Sequence, residues 1–253
     1  MRLLTTTIVL LSAYFSFGQT ISTDAPSVSA GATTVGQGVF QIESRFQYTR
    51  TRNTSNSVND FQLPSILFRV GLGKNFELRL INGIELHSST FGSNASLSNF
   101  VLGMKAQLLN KPDGNTQIAF LVHAQVPEIE NTYFSGTGTL AVNHNLNENN
   151  SLGYNVGFTY STRPTSYESH SVDLSLIYSH TITSRISLFA EVYGGYRNTT
   201  TPNFNGSTYL DFDAGFMFLL KDNIQLDYSF GASILDKSNF HALGLNFMFG
   251  GKE

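Results

Sequence analysis

Few residues in this sequence have types and spacing that could do chemistry. His87, Ser88 and Ser89 set an imidazole and a hydroxyl two residues apart, the elements of a hydrolytic base and nucleophile. No Asn or Asp partner can be assigned to that histidine from the sequence, and strand parity turns His87 and Ser89 to the same polar face. They read as polar residues at a loop mouth. Asp211 and Asp213 could share a cation, but two residues of strand separate them by ~7 Å with no sure third ligand. The Asn-x-Ser/Thr sequences at Asn53, Asn94, Asn198 and Asn205 suit turns on backbone grounds. Phosphate-cradling, dinucleotide, zinc-protease and nucleophile-elbow motifs are all missing, and the chain has no cysteine. No enzymatic activity, cofactor or metal is therefore expected.

What remains is charge. Only 13% of the 253 residues are charged, against ~25% in ordinary soluble domains. Fifteen basic and eighteen acidic residues give a net charge of −3 without a basic cluster, so nucleic acid is excluded as a partner. Two groups nevertheless separate along the chain. Arg45, Arg69, Arg79 and Lys105 fall in the first half, and Asp173, Glu191, Asp211, Asp213 and Asp227 in the second. Whether they meet depends on the elements that carry them.

Those elements are strands. From Val39 onward, apolar and polar residues alternate in twelve segments, the period of a strand with two unlike faces. They span residues 39–50, 63–72, 76–87, 99–109, 116–126, 139–146, 151–161, 170–182, 186–197, 209–220, 224–234 and 241–249. Even-numbered segments are followed by tight turns such as 73–75, 183–185 and 221–223, whereas odd ones lead into longer polar loops such as 51–60, 88–98, 128–138 and 198–208. Such alternation places short turns at one end of an up-and-down barrel and long loops at the other. The segment lengths suit tilted membrane strands of ~9–11 residues, and the count is even. Tyr48, Tyr160 and Tyr196 near the loop ends, with Phe40, Phe76, Tyr154, Phe218 and Phe249 near the turn ends, read as interfacial girdles. The fold class is an all-β, transmembrane antiparallel barrel of twelve strands.

Ahead of the barrel, residues 1–18 carry Arg2, an apolar stretch from Ile8 to Leu11 and a small residue, Gly18, in the order of a secretory signal peptide. Residues 19–38 are assigned as a periplasmic N-terminal segment, either free or folded up into the lumen, and residues 39–253 as the barrel.

The order of these segments resembles the outer-membrane transporter family named putative MetA-pathway of phenol degradation. The resemblance rests on Thr23 to Pro26, Gly36 to Glu43 (GQGVFQIE), Pro64 to Leu80 (PSILFRVGLGKNFELRL), Asn99 to Lys105 (NFVLGMK), Ser151 to Tyr160 (SLGYNVGFTY) and Asp213 to Asp227 (DAGFMFLLKDNIQLD). It implies an outer-membrane barrel of the transporter kind in a Gram-negative bacterium. The final strand, ending Leu245-Asn246-Phe247-Met248-Phe249, resembles the signal read by the barrel-insertion machinery, although four residues follow it.

Parity points both charged groups inward, and in a ring of twelve strands they lie almost opposite one another. Hairpin registers read from loop midpoints put Glu43 opposite Arg69 and Arg69 opposite Arg79. Inward acids (Glu43, Glu77, Glu85, Asp173, Glu191, Asp211, Asp213 and Asp227) outnumber inward bases, so a conducting lumen is expected to prefer cations. Salt bridges that plug the lumen fit the same residues. Two functions follow: a narrow, porin-like passive channel for a small solute, or a non-conducting accessory barrel associated with another envelope protein. In both, outer-membrane lipid surrounds the barrel and both termini are periplasmic.

Overall fold

The computed structural model describes residues 20–52, 57–89, 92–110, 114–125, 134–163, 167–200 and 206–250. Thirteen β segments follow in order: β1 Val39–Arg52, β2 Ser57–Gly71, β3 Phe76–Ser89, β4 Gly92–Leu97, β5 Val101–Asn110, β6 Thr116–Gln125, β7 Phe134–Asn145, β8 Asn150–Arg163, β9 Tyr167–Thr183, β10 Ile186–Thr199, β11 Ser207–Lys221, β12 Ile224–Ser233 and β13 Ser238–Gly250. Every pairing is antiparallel and joins chain neighbours except β3 with β5 and β1 with β13, the last closing the ring from Val39↔Gly250 to Thr51↔Ser238.

The extra segment does not add a wall to the barrel. β3 pairs with β5 up to Ile81↔Val101 and then with β4 from Ile84↔Leu97, so three steps on β3 face four on the other strand. That surplus residue is a bulge. β4 and β5 form one wall strand interrupted at residues 98–100, and the ring is a closed barrel of twelve. The loop expected at 88–98 is thus mostly strand. Other strands also run further toward the long-loop end than alternation alone suggested: β2 begins at Ser57 and β7 at Phe134. Apolar residues there are isolated (Val58, Phe61, Phe134) and set up no alternation, yet backbone pairing continues through them.

Overrun also changes a register. Gln41, not Glu43, faces Arg69, because the β1–β2 connection is centred earlier than expected, at Arg52↔Ser57; the bulge between Arg45 and Gln47 restores only one residue of the difference. Arg69↔Arg79 stands as expected.

Burial is inverted relative to a water-soluble protein. On β12 the inward Gln225, Asp227 and Ser229 are buried, while the outward Phe230 is exposed. Leu78, Leu188 and Phe216 are likewise exposed on the outer wall, a continuous apolar surface of the kind that lipid covers. Phe40 stacks on Phe68 and on Phe249 across the closing seam, and Tyr48 packs on Phe61 nearer the loops.

Residues 20–38 do not lie free beneath this barrel. They enter the short-turn end, where Ile21 N donates to Asp222 O at 2.7 Å, and cross the lumen before Gly38 N donates to Gly71 O at 3.0 Å at the start of β1. Backbone groups brought into a polar lumen need partners, and the inward side chains supply them.

Candidate functional site

The candidate site is the lumen where this segment crosses it. Alternation on β2, β3 and β5 brings Arg69, Glu77, Arg79 and Lys105 to one wall, with Glu43 beside them on β1. Arg69 donates to Glu43 Oε1 at 2.9 Å and forks onto Glu77 at 3.0 and 2.8 Å, and Arg79 Nη1 reaches Glu77 Oε1 at 2.7 Å. The centre of the wall is held by a residue from the segment. Asp24 accepts from Lys105 Nζ at 3.0 and 3.1 Å and pairs with Arg79 Nη1 at 2.7 Å, while Gly31 N closes onto the same carboxylate at 2.9 Å. Burial opposes ionisation of Asp24, but Lys105, Arg69 and Arg79 outweigh it and hold the carboxyl well below the usual carboxylate range. Three cations therefore meet three carboxylates. The wall expected to be basic is internally neutral, a correction that strand parity could not anticipate because Asp24 lies outside the alternating segments.

Arg45 is not part of that wall. It leans the other way, with Nη2 donating to Ser229 Oγ at 3.3 Å and its guanidinium 5.7 Å from the centre of the Phe240 ring. Neighbouring strands carry the acidic group. Glu191 sits directly opposite Asp213 on the β10–β11 ladder, and Asp227 accepts from Asn246 Nδ2 at 2.6 Å. Further toward the loops, Asp173 accepts from Tyr209 Oη at 2.7 Å and Ser171 Oγ at 3.1 Å, with Asp211 on the same face of β11 as Asp213. Among the described residues none of these five acids forms an ion pair, and both Asp213 carboxylate oxygens are buried without a hydrogen-bond partner.

Glu191 is instead satisfied by the segment. It accepts from Val28 N at 2.8 Å and Ser29 N at 2.9 Å, and from Ser29 Oγ, which also meets Ser175 Oγ at 2.6 Å. Backbone contacts continue along the segment. Asp24 N and Ala25 N both donate to Glu43 Oε2 at 3.0 Å, and Val35 N to Glu77 Oε2 at 2.8 Å. Ser22 O accepts from Gln41 and Arg69 at 2.9 and 3.0 Å, Ala30 O from Asn155 at 3.3 Å, Ala32 O from Gln107 at 3.1 Å, and Thr33 O from Lys105 and Arg69 at 3.2 and 3.3 Å. The two charged groups, expected on nearly opposite walls of the lumen, are thus bridged by one peptide.

Space remains on either side of it. A cavity of about 440 Å³ lies toward the short turns, against Gln117, Asn143, Arg185 and Gln225. Another of about 320 Å³ lies toward the loops, against Arg45, Ser65, Arg79, His123 and Thr139. At the loop mouth the sequence reading missed a pairing: His87 Nδ1 bonds Asp60, which faces it directly on β2. Ser89 Oγ donates to Gly92 O at 3.3 Å.

A family model described as Putative MetA-pathway of phenol degradation matches residues 23–249 of this closed, segment-filled barrel. The chain belongs to this family. The match begins within the lumen segment, one residue before Asp24. Among solved structures, an outer membrane channel from Pseudomonas putida F1 superimposes with a TM-score of 0.73 at 12% identity, covering 88% of this chain and all (100%) of that one. The KdgM porin solved in complex with disordered oligogalacturonate follows with a TM-score of 0.53 at 10% identity, over 82% of this chain and 98% of its own. The NanC porin gives 0.52 at 7% identity, over 81% and 98%. At such identities these likenesses establish the fold, that of outer-membrane channels and porins. No curated protein matches the sequence.

Proposed function

We propose that this family member is a passive channel for small solutes in the outer membrane of a Gram-negative bacterium, with both termini periplasmic and no enzymatic activity. The observation that carries the reading is a polar lumen interrupted by a single segment with cavities on both of its sides. A barrel meant only as a scaffold has no need of space at both faces of its plug. Conduction requires residues 20–38 to shift, since their contacts reach opposite walls. Membrane lipid surrounds the barrel, and the barrel-insertion machinery is its partner during biogenesis. The solute is small, and the lining offers it both polar groups (Gln117, Asn143, Gln225) and apolar ones (Ile177, Phe189, Met217).

Planar-bilayer recording tests this. Purified full-length protein is expected to conduct in sparse openings, and a double variant, Asp24→Asn with Glu191→Gln, to open far more often. The filled lumen also favours a second reading, a non-conducting barrel whose surface binds another envelope protein. Absence of conductance from both proteins, each shown folded by heat-modifiable gel mobility, would replace the channel with that accessory role.

A further inference from the structure

The wall contacts to residues 22–35 are directed mainly at main chain. Four carbonyl oxygens (Ser22, Ala30, Ala32 and Thr33) and five amide N–H groups (Asp24, Ala25, Val28, Ser29 and Val35) are taken up by barrel side chains. Side-chain contacts are fewer. Asp24 docks on the Lys105 and Arg79 cations, Thr23, Ser29 and Thr34 contribute hydroxyl contacts to Gln225, Glu191, Ser175 and Gln107, and the small Ala32 and the Val35 side chain are buried against Leu121 and Met248 respectively. Nothing in the main-chain contacts requires these particular residues. Carboxylates facing N–H groups, with amides and cations facing carbonyls, match any peptide whose backbone follows the same path.

Charge adds one selective feature. With the segment out, Arg69, Arg79 and Lys105 keep only Glu43 and Glu77 as partners, so the wall is one positive charge in excess at the place where Asp24 sat. Across the lumen, Glu191 loses its two amide donors. A ligand satisfying both walls must bring a carboxylate to the first and N–H groups to the second.

We infer that the lumen wall is a peptide-binding surface, occupied at rest by the chain's own residues 22–35, and that it takes short acidic peptides as solutes when that segment withdraws. The inference rests on the channel reading for passage but not for binding. The resident segment is then a competitor of the solute, holding the same groups of the wall.

The test uses full-length Asp24→Asn protein in detergent and a fluorescently labelled alanine-rich hexapeptide carrying one aspartate, read by anisotropy. Saturable binding is expected, about a hundredfold weaker when the peptide aspartate is replaced by asparagine, since the charge-assisted contact made by Asp24 in the resident segment is then lost. Methylating every peptide nitrogen should abolish binding, and wild-type protein, with its own segment firmly seated, should bind about tenfold more weakly than the variant. Free acetate at equal concentration should not compete. Equal binding of the methylated peptide, or full competition by acetate, would overturn the inference, because recognition would then be of charge alone. No binding of the acidic peptide to folded Asp24→Asn protein would overturn it as well. Peptide binding by a protein that never conducts would leave the binding surface standing and refute only the channel.

Discussion

Replacing Asp24 with asparagine keeps the shape of the side chain and removes one charge from the centre of a buried cluster. In the native chain this carboxylate meets Lys105 Nζ at 3.0 and 3.1 Å and Arg79 at 2.7 Å, and Lys105 has no other ion-pair partner nearer than Glu77 at 3.9 Å. Breaking a buried pair by removing one partner costs ~3–5 kcal/mol. The withdrawn state loses less, because Lys105 is then wetted, so about 3 kcal/mol is the expected shift against seating. That corresponds to a factor of about 100 in the ratio of seated to withdrawn segment. Single-channel recording should show it as a rise in open fraction, and a cysteine at Ser27 should show it as faster modification by a water-soluble maleimide. An unchanged open fraction and an unchanged labelling rate would refute the claim that this contact holds the segment. The same cluster sets the pH dependence. Since the seated Asp24 carboxyl lies well below the usual carboxylate range, its contribution is complete above that range and is lost only as pH falls through the lowered value. In a Glu191→Gln background, acidification from pH 7 to about 5 should therefore leave the open fraction flat, and a release within that window would contradict the assignment.

Gly71→Ala should unseat the segment from its other end, because a Cβ there would lie 1.9 Å from Gly36 O, a backbone atom that cannot yield without moving residues 35–38; faster maleimide labelling at Ser27→Cys checks it. The lumen's unpaired acids should make conduction cation-selective, so converting Asp211, Asp213 and Asp227 to amides should move the reversal potential in a KCl gradient toward anions, while Arg69→Gln should strengthen cation preference. Leu188→Arg on the outer wall should cost ~2–4 kcal/mol in urea unfolding from lipid vesicles, whereas Gly157→Ser, whose Cβ meets nothing nearer than 3.5 Å, should change little. Asn94→Cys in β4 should label in intact cells with an impermeant maleimide and Asn149→Cys in a tight turn should not; the reverse pattern would invert the barrel.

Alternation made the barrel legible because lipid on one side and water on the other force a period of two on every wall strand. Where that contrast fades the sequence falls silent. Residues 57–62, 92–97 and 134–138 carry only isolated apolar residues (Val58, Phe61, Leu97 and Phe134), too few to mark a period of two, yet their strands run on through them. The bulge at 98–100 has no compositional mark, and it hid the unity of β4 and β5. Parity turns Arg69, Glu77, Arg79, Lys105, Glu191, Asp213 and Asp227 to one face, and all seven are buried, whereas Glu85 nearer the loops is exposed. The partners of the seven were not legible. Parity says which way a side chain points, not what occupies the space ahead of it, and Asp24 belongs to a stretch with no periodicity at all. One sign was available: a basic group with too few inward acids nearby needs a carboxylate from elsewhere.

The seated segment precedes β1 in the chain, yet it grips side chains from β1 through β12. Its contacts to β1, β2, β3 and β5 need only neighbouring strands, whereas those to Glu191 on β10 and Gln225 on β12 join them only when β1 has met β13 and the ring is shut. The stopper is therefore fully seated only in a finished cylinder, and a barrel caught with its seam open holds its own leading residues from one side alone.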